Sequence, residues 1–149
     1  MKIYADTSFL VSLLYQPDLA HGAASAFFLS QPEAEWVTSD WLQFETANSL
    51  RQLCLKPGGP GTAMMEGVRR LLKRWHERGN FVRAEVELSE ALIECQQLST
   101  AFGNSMRMRS ADVLHVALLE QINPDLFVTR DTEQFKLAHQ RAFPSKLIP

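Results

Sequence analysis

Two short stretches decide how this chain is read: Ile3-Tyr4-Ala5-Asp6 near its start, and Leu126-Phe127-Val128-Thr129-Arg130-Asp131 near its end. Each is an apolar run of strand length that ends at or just before an acid. Between them, helical stretches alternate with further strand candidates, Trp36-Val37-Thr38 and Phe81-Val82-Arg83-Ala84. Strands alternating with helices predict an α/β fold whose mostly parallel central sheet is covered on both faces. In such sheets ligands bind beyond the carboxyl ends of the strands. Asp6 and Asp131 fall at two of those ends.

Working outward, apolar spacing predicts helices over 8–15, from an Asp18 N-cap through about Leu29, and from a Ser39 or Asp40 cap to about Leu55. The third helix has an expected core stripe of Phe44, Ala47, Leu50 and Cys54. Pro57-Gly58-Gly59-Pro60-Gly61 reads as a loop inside the domain. A helix with a Met64, Val68, Leu71, Leu72 and Trp75 stripe ends at Gly79. Further helices are expected over 89–102, from about Ser110 to Asn123-Pro124, and over 132–140.

The 149 residues suit one domain, 1–149, large enough for a proper core. A net charge of −2, with 46% hydrophobic and 21% charged residues, is ordinary for a globular protein and names no partner by itself. Cys54 and Cys95 lack the spacing of a zinc site. Asp6 interrupts the only segment resembling an export signal, and no run reaches the ~20 apolar residues of a membrane span. With two thiols, this places the chain in a reducing cytoplasm.

Two more acids complete the pattern. Glu45 lies within a helix beside Trp41, Leu42 and Phe44, and Asn48 or Ser49 one turn on could partner it. Asp112 lies in the first turn of the helix from Ser110, where the helix dipole favours an acid in any case. Asp6 and Asp131 could equally be plain helix caps. Together the four suggest one metal site. Carboxylates crowded in a crevice repel, and Mg²⁺ or Mn²⁺ resolves that conflict because hard cations prefer carboxylate oxygens. Such a site suits metal-assisted attack of water on a phosphodiester.

The segments Asp6-Thr7-Ser8-Phe9-Leu10-Val11, Phe44-Glu45-Thr46-Ala47-Asn48, Ala111-Asp112-Val113-Leu114-His115-Val116-Ala117 and Val128-Thr129-Arg130-Asp131 resemble, in order and spacing, the PIN-domain ribonucleases. The likeness is to the VapC-type toxins of type II toxin–antitoxin pairs. It implies a three-layer α/β/α sandwich, Mg²⁺- or Mn²⁺-dependent RNA cleavage, and Asp6, Glu45, Asp112 and Asp131 as catalytic and metal-binding acids. It also implies a homodimer and a cognate antitoxin lying across the active-site groove.

Ser8 and Thr129 match supporting hydroxyl positions, where helix capping is the competing role. His115, three residues after Asp112, faces the same side of its helix, and a hydrogen-bonded structural role is expected for it. Arg69, Arg70, Lys73 and Arg74, with Arg107 and Arg109, form either a solvated face or a phosphate track for RNA. Two other functions share the pattern. A dehalogenase-type phosphatase would want an acid at position 8, which is Ser, and a receiver would want a lysine where Arg130 stands. A non-catalytic binding module on the same fold is the second alternative.

Overall fold

The computed structural model describes residues 1–149. Five parallel strands form one sheet: β1 (Lys2–Ala5), β2 (Glu35–Thr38), β3 (Phe81–Arg83), β4 (Leu126–Thr129) and β5 (Ser145–Leu147), in the order β3-β2-β1-β4-β5. Seven helices complete a three-layer α/β/α sandwich: α1 (Thr7–Leu14), α2 (His21–Leu29), α3 (Asp40–Leu55), α4 (Thr62–Glu77), α5 (Leu88–Phe102), α6 (Ser110–Ile122) and α7 (Thr132–Gln140). Helix α1 packs on α2 and α3, while α6 packs on α5 and α7. No helix is long and apolar enough to cross a membrane.

The strand order explains where a ligand can enter. From β1 the chain moves outward to β2 and β3, then returns to build β4 on the other side of β1. The helices leaving β1 and β4 diverge at this reversal, opening a crevice beyond the strand ends. Ile3, Tyr4, Phe127 and Val128 are fully buried, as expected for the two central strands of a covered parallel sheet. Beside them, aromatic rings tie helices to strands and to one another. Phe9 stacks on Trp36 at 5.5 Å, Phe28 on Trp75 at 5.3 Å, and Trp75 on Phe81 at 5.5 Å. Each such pair adds roughly 0.5–1.5 kcal/mol beyond the area it buries.

Three local expectations need correction. Asp18 does not cap α2: Ala20 holds that position, and the Asp18 carboxylate accepts from the Ala20 N–H one residue before the helix. The buried stripe of α3 is Leu42, Thr46 and Leu50, whereas Phe44 and Ala47 are exposed. Ser39 sets that phase, since its hydroxyl caps the helix at Leu42 and Leu42 then starts the inward row at four-residue spacing. In α4 the inward residues are Met65 and Val68, with Leu71, Leu72 and Trp75 half-buried and Met64 exposed. One element, β5, is not predicted by the sequence pattern. Strand β5 has three residues held between Pro144 and Pro149, too short for alternation to show, and Ile148 just past it is buried.

Gly79 closes α4 with φ of +73°. The Asn80 N–H returns to the Trp75 carbonyl and the Gly79 N–H to that of His76, a pair of bonds that requires a left-handed residue between helix and β3. Gly79→Ala is therefore expected to cost about 1 kcal/mol through backbone strain alone, because an added Cβ would meet nothing. Urea unfolding would read this as a lower midpoint at unchanged slope.

Candidate active site

Asp6 follows β1 directly and begins α1 as its N-cap, accepting from the Phe9 N–H at 2.9 Å. The Ser8 hydroxyl lies 2.8 and 2.7 Å from its two carboxylate oxygens, and the Thr129 hydroxyl donates to Oδ2 at 2.9 Å. Asp6 is buried, its donors are all neutral, and no cationic side chain pairs with it. Burial accordingly pushes its pKa above the usual carboxylate value.

Asp131 repeats the arrangement at the end of β4. Its Oδ1 accepts from the N–H groups of Glu133 and Gln134, both at 2.8 Å, so it caps α7. Thr129 joins the two acids, accepting from the Asp131 N–H at 2.9 Å while donating to Asp6. Capping and a place in the crevice are thus compatible roles for both residues. Ser8 and Thr129 orient Asp6, and Ser8 also accepts from the Arg130 N–H at 3.0 Å.

Glu45 approaches from α3. Neither Asn48 nor Ser49 partners it; the Asn48 carbonyl is taken by Arg51 at 3.0 Å. Glu45 points inward instead, where Oε2 accepts from the Thr7 hydroxyl and lies 2.6 Å from His115 Nε2. Burial alone would raise the Glu45 pKa, but the donors His115 and Thr7 outweigh it and hold the carboxyl below its ordinary value. Asp112, on the first turn of α6, accepts from the Arg109 N–H at 3.0 Å and from the Gln134 side-chain amide at 3.0 Å.

All four acids line a single cleft of about 350 Å³ at the carboxyl ends of β1 and β4. Thr7, Ser8, Asp18, Gln52, Lys56, Arg109, Arg130 and Gln134 share its walls. Of the six expected RNA-binding cations, only Arg109 reaches it. Arg69, Arg70, Lys73 and Arg74 are exposed on α4, where Arg70 and Lys73 pair with Glu66 and Glu77, both at 3.7 Å. Arg74 lines a separate recess beside Leu14 and Tyr15, and Arg107 is exposed outside the cleft. Lys56 and Arg130, absent from the expected set, are the cleft's other cations. Arg130 is held by Ser12 at 2.7 Å and Asp18 at 3.3 Å, whereas Lys56 and Arg109 form no ion pair.

The donor set is hard oxygen throughout, and buried Asp6 is a carboxylate without a compensating cation. Both features fit a divalent ion of the Mg²⁺ type. No three acids gather around a common point. An ion held by one or two carboxylates together with water and substrate phosphate is compatible with that spacing.

Residues 3–140 match the family model of the PIN domain. The chain belongs to the PIN-domain family, the family its four acidic motifs resemble. Among solved structures it is similar to VapC20 of Mycobacterium tuberculosis, described as a sarcin–ricin loop cleaving toxin, with a TM-score of 0.71 at 18% identity over 99% of each chain. VapBC2 of Rickettsia felis, bound to a DNA fragment from its promoter, gives a TM-score of 0.68 at 10% identity over the full length of both chains. VapBC-1 of nontypeable Haemophilus influenzae gives 0.61 at 16% identity, over 99% of this chain and 98% of that one. At these identities the likeness is one of fold. No curated protein matches the chain at a significant level.

Proposed function

We propose that the protein is a divalent-metal-dependent endoribonuclease and the toxin of a toxin–antitoxin pair. The observation that carries this reading is the meeting of Asp6, Glu45, Asp112 and Asp131 in one cleft. Membership of the PIN-domain family supports it, as do neighbours that are VapC toxins and VapBC complexes.

In this reading Mg²⁺ or Mn²⁺ would be held directly by one or two of the four carboxylates, the others reaching it through water. When bound there, such an ion would supply Lewis-acid polarisation of the phosphodiester and a more acidic water. The protein's own part is placement. Ser8 and Thr129 fix Asp6, Gln134 links Asp112 to the turn that carries Asp131, and Thr7 with His115 fixes Glu45. Lys56 and Arg109, whose side chains form no ion pair, would draw the phosphates of the RNA. No side chain acts as nucleophile.

The test is a cleavage assay on structured RNA with Mg²⁺, Mn²⁺ or EDTA. Cleavage is expected with either metal, absent with EDTA, and lost in Asp112→Asn. Cutting by the variant at the wild-type rate would sink the assignment.

A homodimer and a cognate antitoxin belong to the same proposal. A crevice of carboxylates attracts an arginine or lysine, which would compete with the metal for the same oxygens. An antitoxin is expected to inhibit by placing a basic side chain there. Co-purification with the neighbouring gene product, followed by the same assay on the complex, checks this; a complex that cuts as fast as the free chain rules it out.

A further inference from the structure

Beneath Glu45 runs a line of buried polar groups contributed by three separate elements. Ser39, the cap of α3, lies 3.2 Å from the Tyr4 hydroxyl of β1. That hydroxyl lies 2.9 Å from His115 Nδ1 on α6, and His115 Nε2 lies 2.6 Å from Glu45 Oε2 on α3. Ser39, Tyr4 and His115 are fully buried, so no water can complete their hydrogen bonds.

The direction of every bond follows from counting donors and acceptors. Ser39 Oγ already accepts from the Leu42 N–H at 3.1 Å. Its own proton then has one acceptor within reach, the Tyr4 oxygen, because its other hydrogen-bond neighbour is a donor. Tyr4 must send its proton onward to His115 Nδ1. Nδ1 is therefore an acceptor and Nε2 carries the hydrogen, which points at the Glu45 carboxylate. Thr7, 3.2 Å from Nε2, adds its hydroxyl to the same carboxylate oxygen. Both donors converge on Oε2, and Oε1 has no protein hydrogen bond.

We propose that His115 is the positioning residue for Glu45, locked by Tyr4 as its Nε2–H tautomer so that Oε2 is occupied and Oε1 is presented to the cleft. The inference rests on the reading of Glu45 as part of the metal site. The logic is that of metal centres generally, where a hydrogen bond behind a ligand fixes its orientation and its loss weakens metal binding. His115 would touch neither RNA nor metal.

The experiment uses the full chain and Mn²⁺ as the probe. Without metal or RNA, ¹⁵N-resolved imidazole spectra should show His115 with a protonated Nε2 and a bare Nδ1. In Tyr4→Phe, which keeps the ring and removes the donor, that signature should become mixed. Electron paramagnetic resonance of free Mn²⁺ should give a dissociation constant raised about tenfold or more in His115→Met. His115→Gln keeps an N–H directed at Glu45 and should recover most of that affinity, whereas a purely space-filling role would leave the two variants alike. In steady-state cleavage, kcat should fall in His115→Met with KM unchanged. An Nδ1–H tautomer in the wild type, or equal Mn²⁺ affinity in wild type, Met and Gln variants, overturns the proposal. If His115→Met fails to fold, the wild-type and Tyr4→Phe spectra and the Gln variant decide it. The expected tautomer and affinity order in a chain that cuts no RNA would support the inference and refute the ribonuclease reading.

Discussion

Asp6→Asn is expected to lower RNA cleavage by roughly a thousandfold while leaving the folded protein at least as stable at neutral pH. The loss follows from removing one ligand charge from a site whose metal is asked for several kcal/mol of transition-state stabilisation. The gain follows from the same burial that raises the Asp6 pKa. An asparagine can keep the capping bond from Phe9 through its carbonyl oxygen, and its amide can donate to the Thr129 hydroxyl. A buried charge without a cation is replaced by a neutral group with the same shape.

The pH dependence has a definite sign. In the unfolded chain Asp6 ionises near its ordinary value of about 3.9. In the fold it ionises at higher pH, so the folded state binds the proton more tightly. Below about pH 4 both states carry it and nothing is lost. As pH rises from there through the folded value, wild-type stability falls, and Asp6→Asn escapes that fall. Glu45 acts in the opposite sense, contributing above its unfolded value of about 4.3 and losing that contribution as pH falls. The difference between variant and wild type isolates Asp6, since Glu45 is common to both. Urea unfolding from pH 4 to pH 7 without metal should show this difference growing with pH. A constant or shrinking difference would mean that Asp6 is not held as a strained charge.

The legible parts of this fold were those in which one residue type answers one local demand. The central strands β1 and β4 are apolar on both faces and end at an acid, so both strand and crevice could be read from four to six residues. The capping positions Asp6, Ser39 and Asp131 were readable for the same reason. What escaped depended on phase and on contact at a distance. The expected α3 stripe is out of phase because it places the large apolar Phe44 inward, yet Phe44 lies against Trp41 at 5.8 Å on the outside. Once Ser39 and Leu42 set the phase, Glu45, Ser49, Gln52 and Lys56 fall on one helical face, and Lys56 joins the cleft as their continuation. The α4 cations read as a track only because they are close in sequence. Their helix follows the loop at 57–61, and their side chains lie away from the crevice. His115 was visible as a residue on the Asp112 side of its helix. Its partners Tyr4 and Glu45 lie 111 and 70 residues away, a pairing no local pattern encodes.

The second large effect concerns the metal and the fold together. Mg²⁺ is expected to raise the melting temperature of the wild-type chain, because the four carboxylates lie near one another only when β1, α3, α6 and α7 are assembled. At a hundredfold excess over the dissociation constant, binding to the folded state alone adds about 2.7 kcal/mol. For a chain of this size that corresponds to roughly 5–10 °C. The quadruple variant Asp6→Asn, Glu45→Gln, Asp112→Asn, Asp131→Asn should start from a melting temperature close to that of the metal-free wild type, the relief at buried Asp6 offsetting the lost His115–Glu45 carboxylate contact. Like charges have been removed, and asparagine caps a helix about as well as aspartate. Its response to Mg²⁺ should be nil. Each single variant should respond less than the wild type, with the deficit largest for Asp6, the one buried carboxylate of the four. Differential scanning calorimetry at fixed ionic strength separates this from screening, since Na⁺ at matched ionic strength should reproduce none of the wild-type shift. Equal shifts in the wild type and the quadruple variant would place the cation elsewhere on the surface, and the acidic cleft would lose its claim to be a metal site.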